Sequence, residues 1–173
     1  MYQKFIPSQY VNKVFDITPE SLLEKGIRGI ITDLDNTLVE WDRPEATPML
    51  IEWLASMKLA GIQVVIVSNN NQLRVKSFSD PLGIPFIYQA RKPMGRAFRK
   101  ALALMDVNRE QVVVIGDQML TDIFGGNRNK MHTILVLPVA KSDGFFTRFN
   151  RLVERRIMKR LKEKGHLTWE EEK

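Results

Sequence analysis

The chain has 173 residues, 44% of them hydrophobic, which is enough for one domain with a real core and too few to expect two. It contains no cysteine, which excludes disulfides, thiolate zinc sites and a cysteine nucleophile and favours a reducing compartment such as the cytosol. The net charge of +6 is concentrated near the carboxy terminus, where nine Lys or Arg between Lys141 and Lys164 face only Asp143, Glu154 and Glu163; such a balance attracts anionic partners.

The first stretch, "MYQKFIPSQYVNK", carries no apolar run of the kind a secretory signal needs, and the longest apolar runs, such as "VVIV" at 64–67, fall far short of the ~20 residues of a spanning helix. The expectation is a cytoplasmic protein. Thr18-Pro19-Glu20 reads as an N-cap, a proline at the first helical position and a favourable acid, with Gly26 as the stop. A strand is predicted over 27–32. Thr47-Pro48 opens a helix with Met49, Leu50, Trp53, Leu54 and Met57 at helical spacing and Gly61 as its end. Residues 62–67 form a continuous β-branched run, which suits a parallel strand covered on both faces.

A helix follows from about 72 to 80, then a short strand over 85–88. Pro93 is expected to open a helix carrying Met94, Ala97, Phe98, Ala101, Leu102 and Met105 on one side. Strands over 112–115 and 133–137 flank a helix around 121–127, and 145–164 reads as a long closing helix. Alternating strands and helices with short connections predict an α/β, doubly wound, Rossmann-like fold with a parallel five-stranded sheet. The expected organisation is a single domain over 1–173, with its core at about 5–140 and a basic amphipathic helix at about 142–166.

In such sheets ligands bind beyond the carboxyl ends of the strands. Polar residues collect there: Asp33 and Asp35 after the first predicted strand, Ser68 and Asn69 after the second, Lys92 after the third, Gly116 and Asp117 after the fourth, and Asp122 five residues on. If the second and fourth strands flank the first, these converge on one crevice. The residue types suit phosphoryl transfer. Asp33 can attack phosphorus to form an aspartyl phosphate, and Asp35 can serve as acid and then base. Several carboxylates facing a phosphate require a cation, for which Mg²⁺ held by Asp33 and Asp117 is expected. The Ser68 hydroxyl, the Asn69 amide and the Lys92 ammonium supply donors to the phosphate, and a helix start at Pro93 would add its dipole at Lys92.

"DLDNT" (33–37), "VSNN" (67–70), "RKP" (91–93) and "GDQMLTD" (116–122) together resemble, in order, the four motifs of the haloacid dehalogenase (HAD) superfamily. The resemblance implies Asp33 as nucleophile and metal ligand, Asp35 as acid/base and as metal ligand through its backbone carbonyl, Ser68 and Lys92 as phosphate ligands, and Asp117 as metal ligand. Asp122 would support the metal's waters or Lys92. An acid two residues after the nucleophile points to phosphatases or phosphomutases, and the short segments between motifs leave no room for a cap domain, which the mutases normally need. A capless phosphatase of subfamily IIIA with an open cleft is the expectation. "DITPESLLEKGIRGIITDLDNTLVEWDRPEATP" with "GDQMLTDIFGGNR" is more narrowly similar to the YqeG family of bacterial phosphatases, themselves similar to mitochondrial phosphatidylglycerophosphate phosphatases. Where that pattern suggests a glycine after the helix, this sequence has "NKM" at 129–131, and Asn129 is expected to take the left-handed turn.

Plainer readings stand beside these. An Asp-x-Asp after a strand is commonly a turn device, Trp53 and Met57 read as core, Trp41 as loop packing, and His132 and His166 receive no role. The last helix has an apolar stripe of Phe145, Phe149, Leu152, Val153, Ile157 and Leu161 opposite its cations. That stripe suits docking on the domain, or peripheral contact with anionic lipid at the inner face of a membrane. Nucleic acid fits less well, because no aromatic residue interleaves with the charges. The functional expectation is a Mg²⁺-dependent phosphomonoesterase acting on phosphatidylglycerophosphate or another exposed phosphate. The alternatives are a nucleotide, nucleic-acid-end or phosphoprotein phosphatase, and a non-catalytic protein that binds RNA or membrane.

Overall fold

The computed structural model describes residues 2–140 together with Arg156 and Lys159, which are helical and exposed. Apart from those two positions, the helix expected over 142–166 lies outside the described residues. Six strands form one parallel sheet: β1 (Gln9–Val11), β2 (Gly29–Thr32), β3 (Gln63–Val67), β4 (Phe86–Ile87), β5 (Val112–Gly116) and β6 (His132–Val136), in the order β1-β6-β5-β2-β3-β4. β2 thus lies between β5 and β3, which meets the condition under which the predicted site residues converge. The sixth strand corrects the expected five. β1 pairs with β6, Gln9 opposite Ile134, but its three half-buried residues are too few to show a hydrophobic period.

Five helices cover the sheet: α1 (Pro19–Glu24), α2 (Pro48–Leu59), α3 (Gln72–Ser79), α4 (Gly95–Met105) and α5 (Phe124–Arg128). The first three begin where a side chain satisfies an otherwise unpaired amide. Thr18 accepts from Ser21 N, Thr47 from Leu50 N and Asn71 from Arg74 N. Consecutive strand residues enter opposite layers. Ile30, Ile66, Val113 and Ile115 pack with Leu50, Trp53, Met57 and Phe78 on one face, while Ile31, Val65, Val67 and Val114 meet Phe98, Ala101 and Met105 on the other. β2 and β5 are buried along their whole length, as continuous β-branched runs demand. Burying each of Phe78 and Phe98 contributes roughly 1.5–3 kcal/mol.

Three local expectations differ. α4 starts at Gly95, so Pro93 and Met94 lie in the preceding turn and Met94 is exposed; Met49 on α2 is exposed as well. The segment after β5 begins with a wide π turn, Met119–Ile123, before α5. Lys130 (φ 61°), rather than Asn129, takes the left-handed position after α5. Asn129 keeps φ −90°, and its side-chain amide donates to the Gly125 carbonyl at 2.8 Å.

Candidate active site

Asp33 follows β2 directly, and its amide donates to the Ile115 carbonyl of β5 at 3.0 Å, which ties the end of β2 to its neighbour. Asp117 follows β5, and Asp122 returns from the π turn. One carboxylate oxygen from each of Asp33, Asp117 and Asp122 lies within 4.8 Å of the others, and all three residues are buried. A glycine is required at 116, since a Cβ there would sit 2.3 Å from the Asp122 carboxylate carbon. Thr37 Oγ1 donates to Asp117 Oδ1 at 3.1 Å, and the Gln118 amide donates to Asp122 Oδ2 at 3.3 Å. Grouped buried carboxylates of this kind can hold a divalent cation. The side chain completing the cluster is that of Asp122, which the sequence suggested only as a support, whereas the Asp35 side chain points elsewhere.

Asp35 stands at the base of a tight loop in which Asn36 N donates to the Val39 carbonyl at 2.7 Å and Leu38 N to the Leu34 carbonyl at 3.0 Å. Asn36 takes φ 64°, a conformation that asparagine tolerates better than most residues. The Asp35 carboxylate accepts from Asn70 Nδ2 at 2.9 Å and from Arg74 Nε at 3.0 Å, with Arg74 Nη2 at 2.9 Å. The Arg74 guanidinium also lies over the Phe78 ring, 5.6 Å from its centroid. Sequence reasoning missed Thr37, Asn70 and Arg74. For Arg74 the signal was faint but present: a cation in the first turn of the helix that follows Ser68.

Ser68 and Lys92 are buried at the ends of β3 and the β4 loop. The Ser68 hydroxyl accepts from Asn70 N at 3.1 Å. Asn69 uses its side chain structurally: Oδ1 accepts from Lys92 N at 2.7 Å, and Nδ2 donates to the Lys92 carbonyl at 3.3 Å. Lys92 does not open a helix. It follows a loop in which Gln89 (φ 43°) and Arg91 (φ 53°) both take left-handed conformations, two costly positions beside a candidate site. Lys92 Nζ lies 2.9 Å from Asp33 Oδ1 and 2.6 Å from Asp122 Oδ1. Trp41 is 42% exposed, with its amide donating to Asn36 Oδ1 at 3.3 Å, and His132 is exposed at the start of β6.

Burial pushes the Asp122 carboxyl up to about 6, against the pull of Lys92 and with the help of the Asp33 charge. Burial also works against the Lys92 ammonium, but Asp122 and Asp33 outweigh it, so its pKa is raised and it stays charged. Asp35 is raised by burial, which its hydrogen bond from Asn70 partly offsets; the Asp33 charge raises it and Arg74 lowers it. A buried lysine among three acids leaves net negative charge, which a cation would balance.

A parallel α/β sheet with this carboxylate cluster and lysine at its strand ends defines the class of HAD-like hydrolases, and residues 89–142 match the family model described as HAD-hydrolase-like. The chain is 67% identical over 167 residues to "Probable phosphatase YqeG" of Bacillus subtilis (strain 168), covering 96% of this chain and 97% of that protein. It belongs to the YqeG family. It is also 28% identical over 174 residues to "Phosphatidylglycerophosphate phosphatase 1, chloroplastic/mitochondrial" of Arabidopsis thaliana, with 94% of this chain spanning only 50% of that protein. Among solved structures, the cobalt-bound deoxy-D-mannose-octulosonate 8-phosphate phosphatase YrbI of Haemophilus influenzae shares the fold. The TM-score is 0.54 at 19% identity, with 66% of this chain and 70% of that chain covered.

Proposed function

We propose that this protein is a Mg²⁺-dependent phosphomonoester hydrolase that works through a phosphorylated Asp33. The observation that carries the reading is the convergence of Asp33, Asp117 and Asp122 within 4.8 Å around a buried Lys92. Asp33, Asp117 and the backbone carbonyl of Asp35 would hold the ion, with Asp122 steadying Lys92. When bound, Mg²⁺ offsets the charge of the carboxylates and of the phosphate they face.

In the first half-reaction an Asp33 carboxylate oxygen attacks phosphorus, the bond from phosphorus to the ester oxygen breaks, and protonated Asp35 gives its proton to the departing oxygen. Burial favours the protonated form this step needs. In the second, water attacks the aspartyl phosphate while the Asp35 carboxylate takes its proton, releasing inorganic phosphate and restoring Asp33. Lys92, the Ser68 hydroxyl and the Asn69 amide bind the phosphoryl oxygens.

Similarity to a phosphatidylglycerophosphate phosphatase and the basic sequence at 141–164 support a lipid-borne phosphate as substrate, reached by peripheral contact at the inner face of a membrane. No helix among the described residues is long and apolar enough to cross a membrane. The test is phosphate release from phosphatidylglycerophosphate in mixed micelles against soluble phosphate esters, with Mg²⁺ or EDTA and with Asp33→Asn as control. Selective, metal-dependent hydrolysis of the lipid is expected. Activity confined to soluble esters would remove the lipid assignment, and full activity of Asp33→Asn would refute the phosphoenzyme.

A further inference from the structure

Every strand pairing is parallel, so the carboxyl ends of all six strands share one edge of the sheet, and the candidate site lies on it. Besides Met49 and Ile51 in the first turn of α2, six large apolar side chains are exposed on segments leaving that edge. Trp41 follows β2, Leu73 sits in the first turn of α3, Tyr88 follows β4, Met94 precedes α4, and Leu137 and Val139 follow β6. Their exposure runs from 38% at Tyr88 to 79% at Leu73, so these are not grazing contacts with solvent. Arg91, between Tyr88 and Met94, is exposed, and its side chain has no hydrogen-bond or ion-pair partner among the described residues.

The carboxy-terminal sequence is rooted at the same edge. The Val139 amide donates to the Asn36 carbonyl at 2.9 Å, so residues 137–140 run beside the loop that follows Asp33. The nine Lys and Arg of 141–164 come next in sequence. A single exposed leucine carries no message. Apolar side chains gathered around one polar cleft, with a strongly basic sequence leaving from its rim, have the composition of an interfacial surface. Apolar groups enter the boundary between headgroups and acyl chains, and cations meet anionic headgroups.

We propose that the strand-end edge bearing Trp41, Leu73, Tyr88, Met94, Leu137 and Val139 docks on an anionic lipid bilayer, so that the cleft opens toward the membrane. The purpose of this docking rests on the phosphatase reading, since it would bring a lipid-borne phosphate to Asp33 without extracting the lipid. The docking itself is measurable apart from activity.

The experiment is flotation of the full chain with vesicles of phosphatidylglycerol and phosphatidylcholine, and with phosphatidylcholine alone. Three proteins are compared: wild type, Leu73→Ser/Met94→Ser/Leu137→Ser, and Leu59→Ser/Leu104→Ser, which changes exposed residues at the far ends of α2 and α4. Circular dichroism checks that each is folded. Wild type and the far-end variant should float with anionic vesicles, and the rim variant's partitioning should fall about tenfold while its hydrolysis of p-nitrophenyl phosphate persists. Absence of wild-type flotation, a rim variant that floats like wild type, or equal loss in the far-end variant would overturn the proposal. Flotation by a wild type that hydrolyses no phosphomonoester would support the docking and sink the phosphatase reading instead.

Discussion

Lys92 and Asp122 come from different segments, 30 residues apart in sequence, yet their charged ends meet at 2.6 Å with almost no solvent access. The ion pair also touches Asp33, so one ammonium serves two of the three clustered carboxylates. Removing it would leave buried charge without compensation. Lys92→Ala should destabilise the metal-free protein by roughly 3–5 kcal/mol. Urea unfolding in EDTA measures this, and an unchanged midpoint would contradict it. The same variant should lose phosphate release, because the remaining donors cannot offset the charge of the transferring group.

The raised Asp122 carboxyl makes a prediction about pH. Its folded-state value of about 6 exceeds the ordinary 3.8, so the native state holds the proton more tightly than the unfolded chain. The stability this proton contributes is fully present below pH 3.8 and is lost as pH rises through about 6. In EDTA, the stability of wild type minus that of Asp122→Asn should therefore fall across this window and level off above it. A difference that rises with pH, or stays flat, would show that Lys92 holds Asp122 ionised throughout.

Arg74 orients Asp35 through two nitrogens and opposes the rise in its pKa. Arg74→Ala should lower kcat on a soluble ester about tenfold, a fraction of the 10²–10⁴ that a complete acid or base supplies. It should also move the pH limb governed by Asp35 to higher pH. A purely structural role for Arg74 would lower stability and leave the pH profile in place.

Gly116 is set by contact rather than by turn geometry. With no room for a methyl group beside the Asp122 carboxylate, Gly116→Ala must push the π turn away from β5. If Mg²⁺ binds here, wild type should melt at a higher temperature with Mg²⁺ than with EDTA, and this variant should lose that upward shift. A variant that Mg²⁺ still stabilises fully would show that Asp122 can move without cost to the ion.

Much of this architecture was legible because the chemistry-bearing residues directly follow continuous β-branched runs. "GIIT" and "VVVIG" are recognisable as buried parallel strands, and once they are neighbours Asp33 and Asp117 must converge. The fate of Asp35 could not be read the same way. Its partners Asn70 and Arg74 depend on how α3 leaves β3, and its loop depends on a left-handed Asn36 that no motif announces. The loop before Lys92 was misplaced for a related reason. Proline at 93 resembles a helix start, whereas the left-handed turns at Gln89 and Arg91 set the lysine before the helix. β1 escaped notice because its pairing energy comes from β6 and not from any pattern of its own.

The sheet's two outer strands have a consequence for the protein at high local concentration. β1 offers three residues and β4 only two, so each open margin exposes a ladder too short to recruit a strand from another molecule. The fully buried strands β2 and β5 sit at the centre, already paired on both sides. Among the described residues, copies gathered together would therefore find little unpaired backbone to zip onto at either margin of the sheet.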